Sequence, residues 1–169
     1  PCDSVDGTVG YTNRMLSFGN VTFHQGEGRA TVPGAAYWVM ERLLSFTNAV
    51  STLRPDSVLR VIGPKVSAML APYRFVQPLR VVINGTIGTS AEVLPDARID
   101  VEGGEFHWMR LRADTAKGVV WAVSNRVAIS NMVASIYGGQ LDGDMNFDQS
   151  PAQGSAFKFG LNLTNVDLR

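Results

Sequence analysis

The polar side chains best spaced for chemistry are Asp142, Asp144, Asn146 and Asp148, because clustered carboxylate and amide oxygens are what hard cations such as calcium bind. The pattern fails where geometry demands most. The sixth position of a calcium loop requires glycine for its sharp turn and here holds Phe147; the twelfth requires a bidentate glutamate and here holds Gln153. His24 and His107, the only histidines, lack the cysteine or close histidine partners of a zinc site. Cys2 is the only cysteine, stands beside the first residue and can form no internal disulfide, so it is a poor nucleophile and stability must come from packing. No Gly-x-Ser-x-Gly elbow, phosphate-binding loop or dinucleotide-binding glycine turn occurs; Gly26 and Gly28 read as a hairpin turn. Asn20-Val-Thr22, Asn84-Gly-Thr86 and Asn162-Leu-Thr164 match the glycosylation acceptor pattern, which is weak outside a secretory setting. The reading is of a protein that is not an enzyme and needs no cofactor or metal.

The elements that carry these residues are mostly strands. Alternation at period two is clean near the C-terminus, where Leu141, Met145 and Phe147 share a face with Gly143 and the four acidic and amide side chains take the other. Phe157, Phe159, Leu161 and Leu163 likewise oppose Lys158, Gly160 and Asn162. One dry and one wet side is the signature of antiparallel pairing. Weaker strand patterns cover residues 8–12, 15–24, 28–32, 79–87, 97–102, 105–113, 118–123 and 126–137, with turn signals at Gly26-Glu27-Gly28, Gly103-Gly104, Lys117-Gly118 and Gly138-Gly139. Residues 56–71 break the pattern: Asp56 after Pro55 is an N-cap, apolar residues follow at helical spacing, and Pro64 and Pro72 divide and end two short helices. Residues 36–53 fit a helix and a strand equally. Residues 11–28 and 123–143 also echo each other, with Asn13-Arg14 and Asn125-Arg126 each followed by apolar residues, then Asn20 or Asn131, then glycines. Such an echo implies a hairpin unit that can be stacked lengthwise.

The 169 residues suffice for one domain with a core, and 45% hydrophobic composition argues against disorder. With 15 basic and 15 acidic residues scattered singly, the charge footprint of a nucleic-acid binder is missing. No apolar run reaches the 18 residues of a membrane-spanning helix. The start at Pro1 and the finish just after an alternating segment read as boundaries of a piece of a longer protein, whose open sheet edges make edge-to-edge self-association an expectation.

Aromatic residues are concentrated on the strands: Phe106, Trp108, Trp121, Tyr137, Phe147, Phe157 and Phe159. They fill a sandwich core or line a curved sheet left open as a trough for acyl chains. From Ile129 through the Tyr137-Gly138-Gly139 turn to Gly143, and on to the strand Phe157 to Leu163 with Asn165-Val166-Asp167-Leu168, the chain resembles the C-terminal region of AsmA-like bacterial envelope proteins. Residues Asp56 to Phe75 before Leu79 to Gly85 are similar to inserts in some members, and together these segments cover about two thirds of the chain. The resemblance implies a periplasm-spanning β structure of the cell envelope, anchored through parts outside this stretch, with a hydrophobic groove serving phospholipid transport or outer-membrane assembly.

The expected fold is mainly β: an antiparallel meander forming a curved, partly open sheet or half-barrel, with short helices near residues 56–71. The expected partner is the acyl part of phospholipid, taken on Leu141, Met145, Phe147, Phe157, Phe159, Leu161 and Leu163. The alternative is a secreted β-sandwich for carbohydrate binding or adhesion, using Trp38, Trp108 or Trp121 as a stacking platform.

Overall fold

A computed structural model describes residues 2–54, 73–90, 92–108, 111–148, 150, 154 and 156–167. The strands are β1 (Ser4–Thr12), β2 (Met15–Gln25), β3 (Gly28–Trp38), β4 (Leu43–Ser51), β5 (Tyr73–Phe75) and β6 (Leu79–Gly88). They continue as β7 (Asp96–Gly103), β8 (Phe106–Trp108), β9 (Leu111–Val123), β10 (Arg126–Ile136), β11 (Gly139–Asp148) and β12 (Ala156–Thr164). All belong to one open antiparallel sheet whose main path is β1-β2-β3-β4-β6-β7-β9-β10-β11-β12. The register shows that β5 and β8 prolong β6 and β7. Phe75 pairs with Phe106 and Leu79 with Gly103, and across the interruption the amides of Val76 and Gln77 both donate to the Glu105 carbonyl. The sheet is thus ten long strands, two of them interrupted.

Short turns drive the meander. Thr12 pairs with Met15 around Asn13 and Arg14, both with positive φ, a combination whose twist matches that of the flanking strands. Tyr137 and Gly138 do the same between Ile136 and Gly139, so the Tyr-Gly-Gly phrase is a turn plus the first residue of β11. Lys117-Gly118 is not a turn, a correction to the sequence reading. Both residues lie inside β9, where Gly118 faces an extra residue in β10: Val119 pairs with Ser130 but Lys117 with Val133. A glycine here marks a bulge rather than a chain reversal.

Residues 36–53 are the end of β3, a turn and β4, not a helix. Backbone pairing of β4 with β3 on one side and β6 on the other overrides a local pattern that fits either conformation. The expected helices of residues 56–71 lie outside the described residues.

Three asparagines with positive φ interrupt strands: Asn20 in β2, Asn48 in β4 and Asn131 in β10. At each, two residues oppose one on a neighbouring strand: Asn20 and Val21 face Gly7, Thr47 and Asn48 face Asn84, Ser130 and Asn131 face Asp144. Pro33, which has no amide hydrogen, lies level with Asn20 on one side and Asn48 on the other, so the irregularity crosses three strands in line. Because an extra residue resets the alternation, apolar side chains on either side of it stay on one face.

The core is thin. Buried hydrophobics are Val21, Ala49, Leu79, Ala97, Ala113, Ala134 and Ile136, mostly small, and among the described residues no large side chain is fully buried. A cluster of buried residues, Ala113, Ala134 and Ile136, packs against Phe106, Leu111, Ala116, Leu141 and Val166. The chain exposes 11162 Å². A compact monomer of this size would expose roughly 8,100 Å². The difference is the expected result for a sheet whose described strands form a single layer.

Candidate functional site

Strands β11 and β12 pair in continuous register: Leu141 with Leu163, Gly143 with Leu161, Met145 with Phe159 and Phe147 with Phe157. Directly opposed residues of an antiparallel pair project from the same face, so the seven apolar residues expected to meet lipid are brought onto one surface. Phe157 is 70% and Phe159 62% exposed, and Leu161 and Leu163 are exposed too. Leu141, Met145 and Phe147, one strand further in, are half-covered.

That surface is one end of a larger one. Following the register inward, the Phe157 row continues through Phe147, Val127, Ala122, Ala97, Gly85, Phe46, Ala35 and Phe18 to Val9. The Phe159 row continues through Met145, Ile129, Val120, Ile99 and Ile83 to Ala49. Ten strands at about 4.8 Å spacing make this apolar face roughly 43 Å wide. Sequence reading found only its last two strands. The earlier ones carry the same alternation, but bulges at Asn20, Asn48 and Asn131 break its parity, and Phe18 and Val21 cannot be assigned to one face by counting.

The opposite face carries charged side chains together with Trp121 and several valines. On it Arg98 donates to Asp100 Oδ1 at 2.7 Å and also lies 5.3 Å from the centroid of the Trp121 ring. Arg126 Nε is 3.0 Å from Asp148 Oδ2, and both the side chain and backbone amide of Ser150 donate to Asp148 Oδ1. The Ser150 hydrogen bonds, then Arg126, hold the Asp148 carboxyl below the usual carboxylate range. Near the interruption, Glu105 accepts from His107 and from Arg112, each at 3.0 Å. The His107 hydrogen bond, opposed by partial desolvation and aided by the Arg112 charge, lowers the Glu105 pKa. A shallow hollow of about 290 Å³ on this face is lined by Arg80, Asp100, Glu102, Lys117 and Asn131 with neighbouring backbone, and contains none of the seven lipid-facing candidates.

The other residues singled out by type are scattered. Asp142, Asp144, Asn146 and Asp148 follow one another along the polar face of β11, and Asp144 Oδ1 accepts the amide of Asn131 at 3.1 Å, bracing the bulge. No group of three or more potential ligands gathers among the described residues. His24 stands on β2 and His107 on β8. Cys2 is exposed, its thiol directed at the carbonyls of Ser4 and His24. Trp38 ends β3, Trp108 pairs with Leu111 in the backbone register, and Trp121 lies in β9 under Arg98. The described strands also form one sheet rather than the two that a sandwich requires. No described helix is long and apolar enough to cross a membrane.

No protein-family model, curated protein or solved structure matches the chain.

Proposed function

We propose that this protein is a non-enzymatic module that binds or conducts lipid along the apolar face of its sheet, as an AsmA-like component of the bacterial periplasm engaged in phospholipid transport or outer-membrane assembly. The supporting observation is the apolar face itself, continuous across ten strands and uncovered by a second layer of described strands, with Phe157 and Phe159 largely exposed. Exposed apolar residues gathered on one face mark a place where something apolar docks, and here the exposure is greatest on the outer strands. An acyl chain suits it because burial is non-directional: each methylene removed from water contributes about 0.8 kcal/mol, about half that when only one side is covered. Membrane contact would come through parts outside this stretch.

Mass spectrometry of solvent extracts from the purified protein is expected to find phospholipid in it. A fluorescent fatty-acid analogue is expected to bind the native chain, and the double variant Phe157→Asp, Phe159→Asp to bind at least tenfold more weakly with an unchanged far-ultraviolet circular dichroism spectrum. Absence of both extracted lipid and analogue binding would end the reading.

A further inference from the structure

The ends of β2, β3 and β4 around the turn from Val39 to Arg42 are apolar on both faces. On the apolar face of the sheet Leu16 pairs with Tyr37 and Tyr37 with Leu44. On the charged face, one residue nearer the turn, Met15 pairs with Trp38 and Trp38 with Leu43. Strands apolar on both sides are ordinarily sealed between two layers. Here no second layer of described strands lies on either side. The turn itself adds Met40, 65% exposed, and Val39, also exposed; Leu94, in the next loop along the same rim, is exposed as well. The other end of β2 and β3 differs, for there His24 pairs with Arg29 and Gln25 with Gly28 around Gly26 and Glu27. Because β2, β3 and β4 are each paired on both sides, a further strand beside β1 or β12 would leave this tip as it is.

The polar groups of the tip are arranged for a boundary poor in water. The Val39 amide donates to the Arg14 carbonyl at 3.1 Å, and Thr89 donates to the Arg42 carbonyl through its amide at 2.8 Å and its hydroxyl at 3.1 Å. Adjoining turns thus satisfy one another's backbone, as contact with lipid demands. Tyrosine and tryptophan beside exposed aliphatic residues is the composition of a membrane–water interface, where the rings sit at headgroup level. Arg14 and Arg42 flank the turn, are exposed, and form no ion pair with another described residue. Arginine lays its stem along apolar surface while its guanidinium reaches a phosphate, and two arginines here stand against one acid, Glu41. A fluid layer covers such an end from all sides, whereas a protein partner would need a slot shaped to both faces.

We propose that this tip inserts into the surface of an anionic phospholipid bilayer, with Val39, Met40 and Leu94 among the acyl chains and Arg14 and Arg42 on lipid phosphates. The inference goes beyond the lipid reading of the sheet face, adding a membrane contact inside this stretch to those placed outside it. An insertion this shallow gives reversible attachment rather than a permanent anchor.

The test floats the full chain with vesicles of phosphatidylcholine containing phosphatidylglycerol, and with vesicles of phosphatidylcholine alone. Binding is expected to be at least fivefold stronger to the first. The double variant Val39→Ser, Met40→Ser is expected to lose at least fivefold of that binding with its melting temperature unchanged, since both side chains are exposed. On a Cys2→Ser background, an environment-sensitive fluorophore attached at Met40→Cys is expected to shift to the blue on adding anionic vesicles, and one at Glu27→Cys, in the opposite turn, to stay unchanged. No vesicle binding, which would leave the tip to a protein partner, would overturn the proposal. So would equal binding to the two kinds of vesicle, native binding by the double variant, or equal shifts at positions 40 and 27. Binding of the fatty-acid analogue, expected to be the same for the double variant as for the native chain, separates failure of this proposal from failure of the lipid reading.

Discussion

At the scale of single residues, the unusual feature is asparagine in the left-handed region within strands. Asparagine tolerates positive φ better than other residues with a Cβ, and at Asn48 and Asn131 the strained amide is met by a side-chain oxygen, of Asn84 at 2.8 Å and Asp144 at 3.1 Å. Replacing Asn48 by valine is expected to lower unfolding free energy by about 1–2 kcal/mol relative to Asn48→Gly, measured by urea titration, because a β-branched residue bears the full steric penalty of that conformation. Equal stabilities would show that the bulge relaxes at no cost. Asp148 makes one of the pH-dependent contributions, beside Glu105. Its carboxyl, held below the ordinary value by Ser150 and Arg126, stabilises the fold at pH above the unfolded-state value near 4. That contribution is lost as pH falls from there through the lowered folded-state value. Asp148→Asn is therefore expected to flatten the decline of the urea midpoint below about pH 4 while leaving its shape unchanged above pH 5.

At the scale of elements, two neighbouring glycines make opposite demands. Gly143 in β11 has a φ of 150°, and a Cβ there would collide with the backbone of Gly160 and Leu161 across the β11–β12 ladder. Gly160 in β12 has open space around it. Gly143→Ala is expected to destabilise by roughly 1–3 kcal/mol and Gly160→Ala to stay within about 0.5 kcal/mol of the native chain. Matching melting temperatures for the two variants would disprove the close approach. Strand existence was legible wherever alternation was strong, as in residues 141–148 and 157–163. It was ambiguous in residues 36–53, where Met40, Leu44 and Val50 satisfy both periods and only pairing of β4 between β3 and β6 decides. Gly118 misled because glycine signals a turn or a bulge alike, and the partner strand distinguishes them. The echo between residues 11–28 and 123–143 corresponds to the same strand and turn succession, with Asn20 and Asn131 both in the left-handed conformation. The Asn-Arg pairs do not coincide in detail, since Asn13 and Arg14 both form their turn whereas Arg126 already belongs to β10.

At the scale of the whole molecule, stability is carried by neighbouring strands rather than by a deep core, since contacts run along the sheet and, among the described residues, those buried are few and mostly small. Amide hydrogen exchange should therefore be graded across the sheet. Protection is expected to be highest in β6, β7 and β9 and lowest in β1 and β12, which are exposed throughout. Uniform protection at low protein concentration would contradict a single open layer.

The amino-acid sequence alone determined that the chain folds as antiparallel strands with one apolar side, because a period of two is a local property that every strand carries by itself. It also placed the seven residues from Leu141 to Leu163 on dry faces. Tertiary structure decided how far that apolar side extends. Rows such as Phe18 to Phe157 exist only once registers are set across bulges, and a bulge's effect depends on the strand opposite. Whether an apolar strand face is sealed or open is likewise a property of the layers around it, which no single strand encodes.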